Sequence, residues 1–313
     1  MSGDKKGTEN ATLAFVKSIV APDPSNVDIT TVKGFIQDLI IRIRNVEMGG
    51  MGAQLAYFFL LSFFPLFIFL VTLLPYLNLE QGQVFDFLNQ IMPAEVYVLI
   101  EGTLTEVLTK QNGGLLSVGA LGTIWSASRG VDALMKALNR AYDVDGRAGW
   151  VTRTWSLLFT VSLVGVVLIA LVLPVFGQQI GNLVFSYIGV EQSFATIWTF
   201  VRWIMPPALI FIVLMLMYWI VPNTDPRLTF FSVVPGAVFA TTGWLGLTYF
   251  FSFYISNFGN YSATYGSIGG VIILMLWLYF TGMILIFGGL INASVQKYQL
   301  ESKNKKLGKL PVL

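Results

Sequence analysis

Cysteine and histidine are both absent from this chain of 313 residues. Without histidine the chain lacks the commonest proton shuttle, and without either residue it lacks thiol nucleophiles and the usual zinc ligands. Charged residues are scarce as well, at 12% of the chain, whereas soluble domains carry roughly 25%. We therefore expect that the chain is not an enzyme and that it holds no metal and no cofactor.

Apolar residues fill the chain instead. They make up 55% of it, with 14% aromatic residues and a mean hydropathy of +0.70. A helix needs about 20 mostly apolar residues to cross a bilayer, and no charge occurs between Arg153 and Glu191 or between Arg227 and Lys297. We predict an all-α membrane protein with six transmembrane helices, at roughly 55–77, 114–134, 154–176, 199–221, 230–255 and 267–293.

The basic residues predict the orientation of these spans. Cytoplasmic segments collect Lys and Arg, and with this set of spans all of them except Lys110 and Arg202 fall on one side. The N and C termini are then cytoplasmic, and residues 256–266 face outward. Residues 1–54 lack the apolar region of a cleavable signal peptide, so we expect the first span to direct insertion.

The segments outside the spans also have helical patterns. Between residues 35 and 46 the apolar side chains share one helix face, which predicts an amphipathic helix on the cytoplasmic membrane surface or, alternatively, a helix packed on protein. Residues 78–114 predict an external helical elbow. The division is therefore a cytoplasmic segment 1–54, a transmembrane domain 55–293 and a basic cytoplasmic tail 294–313.

Four motifs resemble the YihY/virulence factor BrkB family, over about residues 35–293. They are AQLAYFFLLSFFPLFIFLVTLL, GLLSVGALGTIWSASRGVDALMKALNRAY, VPN followed by PGA, and FSFYISNFGNYSATYGSIGGVIILMLWLYFTGMIL. The resemblance implies a bacterial inner-membrane protein with a six-helix core and a suspected transport role. Some members once carried the label ribonuclease BN, which has been withdrawn. Relatives often have Gly-Ala-Glu where this chain has Gly288, Gly289 and Leu290, so a mechanism that needs an acid there is not implied.

The charges of the second span are the first candidate site. Arg129 lies roughly 22 Å along this span, short of its cytoplasmic end. Asp132 and Lys136 follow at i+3 and i+7, and we expect them to share a face with Arg129, Trp125 and Ser126. An arginine at this depth faces a partner, a cavity or the bundle interior. Arg129 is thus either a docking point for an anion or lipid headgroup, or an anchor paired with Asp132.

Proline and the outer side supply further candidates. Pro65 interrupts the first span, and Pro206 and Pro207 lie in the fourth. Broken helices in both halves of a transporter indicate a substrate site, although static kinks are the alternative. Arg202, near the outer end of the fourth span, is either an interface anchor or a contact for a lipid phosphate.

The stretch SNFGNYSATYGSIGG, residues 256–270, is polar and glycine-rich but carries no charge. It predicts either a compact external hairpin whose tyrosines belong to the aromatic belt or a neutral lining at the outer mouth of a pathway that ends near Arg129. The candidate residues of the pathway in this stretch are Asn257, Tyr261 and Tyr265.

The leading functional hypothesis is transport or translocation of a lipid-like or amphiphilic anionic substrate. The alternative is a membrane scaffold that organises lipids without transport. A membrane-tethered ribonuclease is disfavoured, because among the cytoplasmic acids only Asp143 and Asp145 are close in sequence, in a DVDG turn. We expect membrane lipids and the substrate as partners and no nucleic acid, and no feature indicates an oligomeric state.

Overall fold

Helices form every regular element in the residues that the computed structural model describes, 27–73, 113–188, 191–258 and 267–306. In these ranges the absence of strands confirms the all-α prediction. The helices are α1 (Val32–Asn45), α2 (Met48–Leu73), α3 (Gly113–Ala141), α4 (Gly149–Ile188), α5 (Glu191–Ile220), a 3-10 turn (Phe230–Val233), α6 (Val234–Phe258) and α7 (Ser267–Lys306).

Five stretches of these helices are long and apolar enough to cross a membrane. They are Met48–Leu70, Gly149–Ile169, Trp203–Ile220, Phe230–Tyr254 and Gly269–Lys306, and they overlap five of the six predicted spans. The remaining prediction, 114–134, falls on α3. This segment is helical, but it is rich in Gly, Ser and Thr, and Arg129 interrupts its apolar sequence. The chain is therefore a multi-pass membrane protein, and the sixth span stays a prediction, as do the locations of the termini.

Two other predictions fall wholly or largely outside the described residues. These are the external elbow at 78–114 and the centre of the polar stretch at 259–266. The three-part division at residues 54/55 and 293/294 also stays a prediction. The chain itself separates into two compact units, Tyr57–Gly130 and a larger one formed by Met1–Ala56 with Val131–Leu313.

In the smaller unit, α2 and α3 pack through glycines. A Cβ atom added to Gly119 would lie 2.9 Å from the backbone nitrogen of Phe69, and one added to Gly122 would lie 3.2 Å from Cβ of Pro65. Small residues let two helix backbones approach closely in a membrane, where dispersion contacts replace the hydrophobic effect. The glycines that make α3 less apolar are thus the residues that pack it on α2.

In the larger unit, α6 and α7 cross at a second glycine contact. A side chain at Gly236 would overlap the carbonyl oxygen of Gly288, and the N–H of Gly236 donates to Oδ1 of Asn292 at 2.7 Å. The hydroxyl of Tyr218, on α5, donates to the carbonyl of Leu285 on α7 at 2.6 Å. Tyr218 and Asn292 are fully buried, and each binds a backbone atom of a neighbouring helix through its side-chain oxygen.

The amphipathic segment before the first span is helical, as predicted, and begins at a side-chain cap. Thr31 precedes α1 in an extended conformation, and its hydroxyl oxygen accepts a hydrogen bond from the N–H of Gly34 at 3.0 Å. This arrangement satisfies one of the free N–H groups of the first turn. The helix packs on α7 through the buried Asp38, and Gly34 is buried against the backbone of Asp28, while the apolar Ile36 is exposed. Its position on the membrane surface stays a prediction.

Candidate functional site

Arg129 lies on an exposed face of α3, where it stacks on a tryptophan. Its guanidinium carbon is 5.7 Å from the ring centroid of Trp125, one turn earlier, and Trp125 is itself 57% exposed. Within the described part of the chain, Arg129 takes part in no ion pair. A guanidinium held over an indole face by a cation–π contact keeps its hydrogen-bond donors available.

The anchor hypothesis expected Arg129 to pair with Asp132. In the structure Asp132 instead forms its ion pair with Lys136, with 2.9 Å between Oδ2 and Nζ. This is an ordinary i,i+4 pair on a helix surface, and Lys136 is 63% exposed. Asp132 is therefore engaged one turn further along α3.

Ser126 and Pro65 both lie next to Gly122, a glycine through which α3 packs on α2. Ser126 is buried, and its hydroxyl donates to the carbonyl of Gly122 at 2.6 Å. Gly122 is the glycine that packs on Pro65. The sequence predicted one face for Ser126, Trp125 and Arg129; in the structure Ser126 is buried, whereas Trp125 and Arg129 are exposed. Ser126 thus belongs to packing.

The remaining predicted residues are not tested. Arg202 lies in α5 and Asn257 in α6, but their side chains are outside the described part of the structure, and Tyr261 and Tyr265 fall in the range 259–266. Pro206 and Pro207 lie inside α5, which continues through them. The roles of these four polar residues in a pathway stay predictions.

A second polar cluster, which the sequence reasoning missed, surrounds Asp38. Its carboxylate accepts hydrogen bonds from Nε of Arg42 and from the hydroxyl of Ser294, both at 2.7 Å, and lies 3.4 Å from Nζ of Lys297. Arg42 also donates to the carbonyl of Ala141, at the end of α3. The Asp38 side chain is only 6% exposed. This cluster, the Asp38 cluster, ties α1 to the polar end of α7.

A second, exposed contact joins the same two segments. The carboxylate of Asp28 accepts hydrogen bonds from the hydroxyl of Thr30 at 2.6 Å and from Nζ of Lys305 at 3.0 Å. These two bonds, with the N–H of Thr30, hold the pKa of Asp28 at about 2, below its ordinary value of 3.8. The residues from 294 to 306 are therefore helical and bound to the N-terminal segment.

The DVDG turn that contains Asp143 and Asp145 closes a helix. Asp143 has a φ of 55°, its N–H donates to the carbonyl of Arg140 at 3.1 Å, and the N–H of Val144 donates to the carbonyl of Asn139 at 3.1 Å. This pair of bonds is the Schellman motif that ends many helices. In the described ranges, no three acidic residues come together to hold a metal ion.

Comparison with known proteins decides the family. The family model described as virulence factor BrkB matches residues 39–310. This chain belongs to that family. It is 45% identical to the ribonuclease-like protein YfkH of Bacillus subtilis (strain 168) over 264 residues, which cover 84% of this chain and 95% of YfkH.

Two further relatives are named only as UPF0761 membrane proteins. The one from Kangiella koreensis is 24% identical over 87% of this chain and 66% of its own length, and the one from Tolumonas auensis is 24% identical over 83% and 84%. No solved structure matches the chain. Family, relatives and apolar helices together make this chain a multi-pass bacterial membrane protein.

Proposed function

We propose that this BrkB family member translocates an anionic amphiphile, such as a phospholipid with a negatively charged headgroup, across the bacterial membrane. The observation that carries the proposal is the exposed Arg129 stacked on Trp125, without an ion pair among the described residues. An arginine near the membrane interior is costly unless a partner, water or a headgroup meets it. An anionic headgroup supplies that missing partner.

The position of Arg129 along α3 supports a role inside the membrane. It lies about 24 Å after the first residue of the helix and about 18 Å before the last, at 1.5 Å per residue. The hydrocarbon core of a bilayer is about 30 Å thick, so a helix of this length places Arg129 between the interfaces if it spans. The exposed Trp125 beside it presents an apolar surface to the acyl part of the same ligand.

The chemistry of the guanidinium favours phosphate or carboxylate. Its planar array of N–H groups binds two oxygens at once, which an ammonium group cannot do. The indole fixes the plane of the guanidinium from one side and leaves its edge for the anion. This contact is strong enough to select an anionic headgroup. Because Arg129 supplies only one charge, the headgroup can also dissociate again.

Proteoliposomes that contain fluorescent phosphatidylglycerol test the proposal by the rate at which label crosses the bilayer. We expect Arg129→Ala to abolish protein-dependent transfer and Arg129→Lys to restore only part of it. Arg140→Ala is the matched control, since it also removes one exposed positive charge from α3, but from the last turn of the helix. Transfer by the wild-type protein no faster than in protein-free vesicles would refute translocation and leave the scaffold alternative.

A ribonuclease activity, which the name of the B. subtilis relative raises, has no such support in this chain. The backbone of the DVDG turn ends α3, no three acidic residues come together in the described ranges, and the chain contains no histidine. We therefore expect purified protein, with or without divalent metal, to degrade RNA no faster than the Asp143→Ala/Asp145→Ala variant. Metal-dependent cleavage that disappears in the double variant would overturn this expectation.

A further inference from the structure

Two arginines from separate loops lie near the C-terminal end of α5. Nη2 of Arg147, which precedes α4, donates to the carbonyl of Ile220, the last residue of α5, at 2.7 Å. The loop after α5 folds back on the same end, because Nε1 of Trp219 donates to the carbonyl of Leu228 at 3.0 Å. These two bonds place Arg227 next to the helix end that Arg147 already occupies.

Among the residues that the structure describes, no carboxylate neutralises this pair. The acids nearest in sequence are Asp143, Asp145 and Asp225, which are all exposed, and within the described ranges none forms an ion pair with either guanidinium. Burial lowers the pKa of Arg147, and the charge of Arg227 lowers it further. The two cations therefore repel each other, and an anion between them would remove that cost.

Capping of α5 explains only part of this arrangement. An arginine at the end of a helix satisfies a free carbonyl and interacts well with the helix dipole. One donor of Arg147 is enough for this role, and a guanidinium has five. Arg227 is exposed and has no part in the cap, so its approach to Arg147 needs a further reason.

An exposed aromatic side chain follows each of the two arginines within four residues of sequence. Trp150 is 76% exposed and lies in the first turn of α4, and Phe231 is 78% exposed and lies in the 3-10 turn before α6. Both positions are at the ends of candidate spans, where aromatic residues meet the lipid headgroup region. An anion that binds here therefore comes with apolar chains beside it.

We propose that Arg147 and Arg227 form a binding site for the phosphate of an anionic phospholipid that resides at this end of α5. The guanidinium groups share the phosphodiester, and the flanking aromatic side chains contact its glycerol and acyl parts. This site is independent of the translocation proposed above, since it lies in loops of the larger unit and binds a resident lipid. The bound lipid ties the loop 221–229 to the start of α4.

Hydrogen exchange of the loop 221–229 tests the site in the full-length protein. The protein is placed in nanodiscs of phosphatidylcholine, with or without a fraction of phosphatidylglycerol at equal total lipid. We expect exchange in this loop to be about tenfold slower with phosphatidylglycerol, because the bound headgroup suppresses local opening. In the Arg147→Gln/Arg227→Gln variant we expect the two lipid compositions to give the same rate.

Three controls separate the possible causes. Arg140→Gln removes an exposed charge elsewhere and should keep the full response to phosphatidylglycerol, and Arg129→Ala should keep it too while it loses transfer. Arg147→Lys retains the charge and the cap of α5, so it should fold and keep part of the response to phosphatidylglycerol. This variant shows whether the response is lost in the double variant merely because that variant misfolds. Equal exchange in both lipids for the wild-type protein, or equal slowing by inorganic phosphate in phosphatidylcholine discs, would overturn the proposal.

Discussion

Replacing Asp38 with alanine measures how strongly α1 is held on α7. The substitution removes the acceptor of two hydrogen bonds at 2.7 Å, from Arg42 and Ser294, and leaves the charge of Arg42 in a site where its side chain is only 16% exposed. Removing one partner of a buried ion pair costs about 3–5 kcal/mol. Lys297 is 34% exposed and turns to water, so we expect about 3 kcal/mol, at the lower end.

The assay is reversible unfolding in mixed micelles, followed by the helical circular dichroism signal. Asp132→Ala is the matched control, because Asp132 also pairs with a cation at i+4 but Lys136 is 63% exposed. Exposed helix pairs contribute about 0.3–0.5 kcal/mol, so the two alanine variants should differ by more than about 2 kcal/mol. Equal losses in the free energy of unfolding would refute the claim that burial makes the Asp38 cluster strong.

Three further predictions concern other positions of the fold. Asp143→Gly should raise the free energy of unfolding by about 0.5–1 kcal/mol, because glycine adopts positive φ without cost, and Asp143→Ala should lower it. Gly236→Ala should lower the free energy of unfolding by about 1–3 kcal/mol, because the added methyl group overlaps a backbone carbonyl. Gly165 has open space around it, so Gly165→Ala should leave the free energy of unfolding unchanged or raise it, as measured by the same unfolding assay. The hydrogen bonds of Asp28 lower its pKa to about 2, so their contribution is complete above the ordinary value of 3.8 and is lost as the pH falls through about 2. The difference in free energy of unfolding between wild type and Asp28→Asn should therefore be constant above pH 3.8 and disappear as the pH falls through about 2. A difference that persists below pH 2 would contradict this expectation.

The helices were predictable because apolar runs are a direct consequence of the membrane as solvent. Lipid offers no hydrogen bonds to the backbone, so each long apolar run becomes a helix. The prediction was least accurate where packing replaces contact with lipid. The start of α2 at Met48 lies before the predicted 55, because the segment between them contains Gly49, Gly50 and Gly52, which are weak helix formers. Gly52 packs on Met283 of α7.

The candidate site was predictable in part. The proximity of Arg129 to Trp125 follows from their spacing of four residues along one helix, and the guanidinium carbon lies 5.7 Å from the ring centroid. The direction of Ser126 did not follow, since it depends on which face of α3 meets α2. The Asp38 cluster shows only its Asp38–Arg42 pair in the sequence, because Ser294 is 256 residues away from Asp38 and only the fold brings them together.

The Asp38 cluster and Arg129 therefore differ in whether protein groups pair with their charges, and this difference predicts their roles. Asp38 is buried with its acceptors filled by Arg42 and Ser294, so its replacement should affect stability first. Arg129 is exposed and, among the residues that the structure describes, contacts the indole of Trp125 and forms no ion pair, so its replacement removes little from the fold. If Arg129→Ala leaves the free energy of unfolding within about 0.5 kcal/mol of wild type and abolishes lipid transfer, the arginine acts on a ligand. If instead it destabilises the protein as strongly as Asp38→Ala, Arg129 has a structural partner, and the argument for an anionic substrate at α3 fails.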